Sequence, residues 1–365
     1  MNDKYWIAFS AIEQLDSTFI QRLYNYFGDI ETAFNAELKD LEQIEELSVR
    51  KAKNFIEKKK DINPDKVLEE VLKRGIKFIT FDSTDYPYML SQISNPPMTI
   101  FYKGDFLACN LDRTVAFVGS RRASLSGRDG VKRVISDLKN TDVCIVSGLA
   151  SGIDAVSHES AIANNLKTIG VIASGFDYTY PESNKHLYEK IENGAGVVIS
   201  EYYPTFQPLK FRFPQRNRIV TGLSYGTVVG EAALKSGALI SANLTLEQGR
   251  ELMCIPGAIN NVNTEGIYKL IKDGASIVTC GNDILNALNW EIQKTKSAQK
   301  IDLSLNPQEK IIFDIIGIEP KGFDEIQTET KFETDELLSL LTVMEMKSLV
   351  EHIDGDRYKR AWQRQ

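Results

Sequence analysis

The sequence predicts an α/β protein built on a parallel, doubly wound sheet, and three observations predict it. Six short apolar runs, TVAFVGS, VCIVSG, KTIGVIASG, AGVVISEY, GTVVGEA and RELMCIPG, end in small or polar residues, as strands buried on both faces do. Helical segments separate most of them, notably GRDGVKRVISDLKN, DAVSHESAIANN, SNKHLYEKIENG and LISANLTLEQGR, which is the alternation that joins parallel strands by crossovers. At 365 residues and 42% hydrophobic, the chain has material for two or three domains, at least one with a sizeable core.

In chain order, residues 1–63 show helical periodicity in YWIAFSAI, FIQRLYNYF and LEQIEELSVRKAKNFI and predict a small helical domain. Within it, LSVRKAKNFIEKKK suits half of a helix-hairpin-helix against DNA phosphates, or simply a solvated lysine face. From Pro64 the pattern changes: KVLEEVLKRG reads as a helix, IKFITF as a strand and, after turn-rich DSTDYP and NPP, MTIFYKG as another strand. The alternating region follows, and EGIYKLIKDG, ASIV and NDILNALN close a domain expected over 64–290. Polar, aperiodic EIQKTKSAQKIDLS predicts a linker over 291–303. Three amphipathic segments and a DG turn then predict a small winged-helix-like domain over 304–365. Its candidate recognition segment holds Glu333, Asp335 and Glu336, which repel phosphate, so a packing or protein-contact role is expected there.

The formal net charge of -7 hides an uneven distribution. No Asp or Glu lies between Glu201 and Glu231, nor from Thr114 to Arg128, a window holding Arg121, Arg122 and Arg128. No secretory leader or long apolar run is apparent, so a cytoplasmic location is expected. The four cysteines are far apart, without CxxC spacing, and only three histidines are present, so buried reduced thiols are expected and no metal or other cofactor.

In open α/β sheets ligands gather at the carboxyl ends of strands, and those ends are rich here. AFVGSRRASLSG places Gly119, Ser120 and Arg121 between a strand and a helix, where backbone N–H groups, the helix N-terminus and a guanidinium together suit a phosphate. VSGLASGIDAVSH supplies Ser147, Gly148 and Gly152 in a second such loop. That loop is neither GxGxxG nor GxSxG, and no GxxxxGK[ST] occurs, which counts against dinucleotide binding, acyl transfer and ATP hydrolysis. Asp154 reads as a helix cap with His158 packed one turn on. Tyr178 and Tyr180 follow in a third loop, as packing or stacking residues. KFRFPQRNR is the strongest signal: Lys210, Arg212, Arg216 and Arg218 can neutralise phosphates while Phe211 or Phe213 stacks on a base of any identity. A helix is expected to begin near Pro214, putting Arg216 and Arg218 in a first turn whose dipole opposes them unless an anion compensates. Glu231, at a later strand end, suits either an acid–base role or the orienting of arginines.

In order, GSRRASLSG, SGLASGIDAVSHESA, TIGVIASGFDYTYPESN, SEYYP, FPQRNRIVTGLS, EAALKSGALISA and IPG resemble the bacterial DNA-processing protein A (DprA/Smf) family over roughly residues 80–280. The resemblance implies an extended Rossmann-like domain between a sterile-alpha-motif-like helical domain and a winged-helix-like domain. It further implies a homodimer without catalytic residues that binds single-stranded DNA, protects it, and helps load RecA recombinase during natural transformation. The implied DNA pocket uses Arg121, Lys210, Arg216 and Arg218, with Gly119, Gly148 and Gly152 admitting phosphate to the backbone, and Asn217, between the two arginines of RNR, is a further candidate. VSHESA and VVGEA depart from the family pattern around His158 and Gly230. The alternative is an enzyme resembling nucleotide phosphoribohydrolases, with Arg121 and Glu231 as its working pair; GLSYGTVVGE echoes part of their motif but lacks its PGG element.

Overall fold

The computed structural model describes residues 2–45, 47–290, 305–317, 320–347, 349–353 and 355–360. The linker expected at 291–303 lies outside the described residues. The chain divides into two compact units, Met1–Lys294 and Thr295–Gln365.

The larger unit is built on nine strands: β1 (Lys77–Thr80), β2 (Thr99–Gly104), β3 (Thr114–Val118), β4 (Cys144–Ser147), β5 (Thr168–Val171), β6 (Gly196–Ser200), β7 (Gly226–Val229), β8 (Glu251–Cys254) and β9 (Ser276–Ile277). Their order is β1-β2-β6-β5-β4-β3-β7-β8-β9. All neighbours from β6 to β9 pair in parallel; β1–β2 and β2–β6 are antiparallel. The doubly wound, mostly parallel α/β sheet is therefore present, widened at one edge by a hairpin. Residues Val115 to Val118 are all buried, because successive side chains point to opposite faces and both faces are covered. Val115 and Phe117 enter one apolar layer, Ala116 and Val118 the other. Chain order reverses at β3, whose neighbours are β4 and β7, and this switch point opens a crevice beyond the strand ends.

The helices of the first 63 residues do not stand apart from this sheet. Their core of Trp6, Phe9, Phe19, Leu23 and Phe55 also includes Met98, Phe101 and Tyr203 from the sheet region. Phe9 and Phe55 stack with centroids 5.2 Å apart. The lysines of LSVRKAKNFIEKKK largely serve this packing: Lys51 pairs with Asp16, Lys58 donates to the Glu13 carbonyl, and Lys59 to the carbonyls of Phe34 and Ala36. Burial lowers the Lys59 pKa. These contacts favour an internal role over the helix-hairpin-helix alternative.

The second unit has helices Pro307–Ile315, Phe323–Thr330 and Thr334–Met346 and strands β10 (Lys321–Gly322), β11 (Val350–Ile353) and β12 (Arg357–Arg360), ordered β10-β12-β11. This is the winged-helix order, with its own core of Ile312, Ile326, Leu337, Leu341 and Tyr358. Asp335 and Glu336 occupy the first turn of the third helix, where the macrodipole favours them.

Candidate functional site

Loops at several strand ends and two helices enclose a cleft of ≈ 750 Å³ at the switch point. The loop after β3 supplies Gly119, Ser120, Arg121 and Arg122; the loop after β4 supplies Gly148, Ala150 and Asp154. The helix Arg212–Gly222 supplies Phe213, Arg216 and Asn217, and Lys210 precedes it. Among the described lining residues Asp154 is the sole carboxylate, facing Arg121, Arg122, Lys210, Arg216 and Lys235. Low-dielectric walls strengthen the field of so one-sided a set.

Arg216 is the buried member, 3% exposed, with Nη1 donating to the Val171 carbonyl and Nε lacking any partner. Burial lowers its pKa, which Asp154 opposes. Asp154 is also buried: desolvation raises its pKa, while Arg216 and the N–H groups of Gly148 and Ala150 act to lower it. Those N–H groups donate to Asp154 Oδ2 at 3.2 and 3.4 Å. The expected helix cap is thus corrected: Gly152 is the N-cap, and Asp154 braces the loop beneath Arg216 instead. His158 is fully buried with Nδ1 2.7 Å from Thr168 Oγ1, and desolvation carries its pKa down to about 3. It is a neutral packing residue.

Above this floor lies an aromatic step. The Arg121 guanidinium sits 5.1 Å from the Phe213 ring centroid, and Tyr180 lies 5.2 Å from Phe213 on a tilted plane. Cations over an aromatic face, beside further cations, suit a base stacked next to its phosphate.

Of the residues predicted from sequence, Gly119, Ser120, Arg121, Gly148, Lys210, Phe213, Arg216 and Asn217 line this cleft, whereas Ser147, Gly152, Phe211 and Arg218 do not. Ser147 is buried and donates to the Phe117 carbonyl at 2.6 Å. Gly152 has φ +81°, and a Cβ there would stand 2.2 Å from the Ser120 carbonyl oxygen, so its glycine serves loop packing. Arg218 makes an ion pair with Glu201 at 2.6 Å and donates to the Asn95 carbonyl and Ser17 Oγ. The helix begins at Arg212, two residues before Pro214, so Arg216 and Arg218 lie beyond its first turn and the expected dipole conflict does not arise. Proline is tolerated in that opening turn, which is why it did not mark the first residue.

Residues 211, 215 and 218 face a separate groove and residues 213, 217 and 220 the cleft; both sets have the i, i+4, i+7 spacing of one helix face. Lys235 and the N-terminus of the helix Gly237–Glu247, capped by Ser236, form the far wall. Sequence reasoning did not assign Lys235, although KSG between a strand end and a helix was the available signal.

Glu231 does not line the cleft. It is 1% exposed and accepts from Ser124 N–H at 2.8 Å, Ser124 Oγ at 2.7 Å and Asn261 Nδ2 at 3.1 Å. Its carboxylate therefore ties the N-cap of the helix Leu125–Asp137 to the loop after β8.

Residues 77–289 match the family described as DNA recombination-mediator protein A, and residues 296–356 the DprA winged helix domain. The DNA processing protein DprA of Streptococcus pneumoniae is 46% identical over 211 residues, 57% of this chain and 74% of that protein. Protein Smf of Synechocystis is 30% identical across 98% of both chains. The X-ray structure of DprA from Streptococcus pneumoniae matches with a TM-score of 0.68 at 36% identity, covering 79% of this chain and 97% of that one. DNA processing protein A from Helicobacter pylori, whose structure was described for its single-stranded DNA binding mode, matches with a TM-score of 0.52 at 28% identity, covering 59% and 98%.

Proposed function

We propose, from the premise that this chain belongs to the DNA recombination-mediator protein A (DprA/Smf) family, that its cleft binds single-stranded DNA without regard to sequence. The observation that carries this is the joining of five cations, one of them buried, to the Arg121–Phe213–Tyr180 step. Phosphates meet Arg121, Lys210 and Arg216, and a base stacks on Phe213. The strand so held is shielded from attack and passed to RecA recombinase, the chain acting as a cytoplasmic homodimer in natural transformation. The phosphoribohydrolase alternative loses support because Glu231 is engaged outside the cleft.

Fluorescence anisotropy with a labelled oligonucleotide at several salt concentrations tests the binding. Arg121→Ala and Lys210→Ala should each weaken affinity across sequences and flatten the log–log salt slope by about 0.7 per lost phosphate contact. Unchanged affinity and slope in both folded variants would overturn the assignment. RecA transfer is tested separately, by RecA ATPase activity on strands precoated with single-strand-binding protein.

A further inference from the structure

We propose that the groove on the opposite face of the helix Arg212–Gly222 is a second base-binding subsite, in which Phe211 stacks on a nucleobase of the strand whose phosphates occupy the cleft. This rests on the reading of the cleft as a single-stranded DNA site. The groove, ≈ 320 Å³, lies between the N-terminal helices and the sheet, and Phe211, 56% exposed, stands on its wall with Tyr202 and Phe206. Its volume falls within the roughly 300–1,000 Å³ of small-ligand pockets.

The two phenylalanines diverge for a geometric reason. Phe211 has helical dihedrals (φ -72°, ψ -21°) and precedes the first helical residue. At 3.6 residues per turn, positions two apart point about 200° from one another, so Phe211 and Phe213 stand on either side of one ridge. A strand crossing that ridge passes from one aromatic face to the next within a single helical turn.

Charge decides which part of the strand enters. The groove is lined by the carboxylates of Glu13, Asp16 and Glu201. Its two arginines are already engaged, Arg212 with Glu13 at 3.0 Å and Arg218 with Glu201 at 2.6 Å. Asp16 pairs with Lys51. Among the described lining residues no cation is left over for a phosphate, whereas a neutral base meets an aromatic face beside hydrogen-bonding groups. Cleft and groove thus divide the nucleotide between them, backbone to one side and base to the other.

The test is affinity over an oligothymidine ladder of 2 to 20 nucleotides, at two salt concentrations, for the full chain and for Phe211→Ala, Phe211→Trp and Phe213→Ala. Phe211→Ala should match the parent on the shortest strands and lose roughly 5- to 100-fold on longer ones, with the salt slope unchanged. Phe211→Trp should restore the loss, and strands made abasic throughout should bind the parent and Phe211→Ala alike. If Phe211→Ala matches the parent at every length while Phe213→Ala binds weakly, the second subsite is wrong and the cleft stands. If both variants match the parent, the cleft assignment falls with it. An equal loss at all lengths with a flatter salt slope would likewise overturn the subsite, since Phe211 would then be acting on phosphate contacts.

Discussion

Only 2.1 Å separates the position a Cβ would take on Gly148 from Nη1 of Arg216. Gly148 is therefore the residue that lets a buried guanidinium lie against the loop after β4, and Gly148→Ala should drive Arg216 off the Val171 carbonyl. A charge-assisted contact is worth about 1.5–3 kcal/mol, so single-stranded DNA affinity should fall roughly 10- to 100-fold while the variant stays folded. Affinity and circular dichroism measured together check this; retained binding would remove Arg216 from the site. At this scale GSRRAS was legible because a glycine and arginines at a strand end have few structural uses. Arg218 was not, since its partners Glu201, Asn95 and Ser17 are remote in sequence and nothing in KFRFPQRNR announces them.

At the scale of the element, the helix Arg212–Gly222 works with two faces. One presents Phe213 and Asn217 to the cleft; the other fastens Arg212 and Arg218 to Glu13 and Glu201. Arg218→Ala should thus act on stability more than on binding. Removing one partner of a fully buried ion pair leaves the other charge uncompensated, at a cost of roughly 3–5 kcal/mol, and this partly buried pair should lose less. The urea midpoint should fall, with near-parental affinity in the folded fraction for strands too short to reach from the cleft into the groove that Arg218 lines. A variant of unchanged stability and lost affinity would return Arg218 to the DNA site. Strands such as TVAFVGS were legible because burial on both faces leaves an unbroken apolar run. The start of this helix was not, because its proline sits inside the opening turn.

For the whole molecule, the sheet and the winged-helix order could be read from the alternation of strand and helix. The joining of the N-terminal helices to the sheet could not, because hydrophobic periodicity marks which residues are buried and not which partner buries them. Phe101 and Tyr203 lie in the same apolar cluster as Trp6 and Phe55, and Arg212 pairs with Glu13 at 3.0 Å. A chain beginning at residue 64 uncovers these aromatic side chains, each worth about 1.5–3 kcal/mol when buried, and should aggregate or melt without cooperativity. Residues 1–294 alone should melt in one sharp transition. Calorimetry on the two truncated chains checks both outcomes, and a well-folded 64–365 chain would contradict the shared core. Inheritance is affected as well: a genetic crossover at the 294/295 boundary hands on two intact cores, whereas one near residue 63 divides a single core between two genes. Exchange of the C-terminal unit among relatives is therefore the easier evolutionary path, and the N-terminal helices should travel with the sheet they cover.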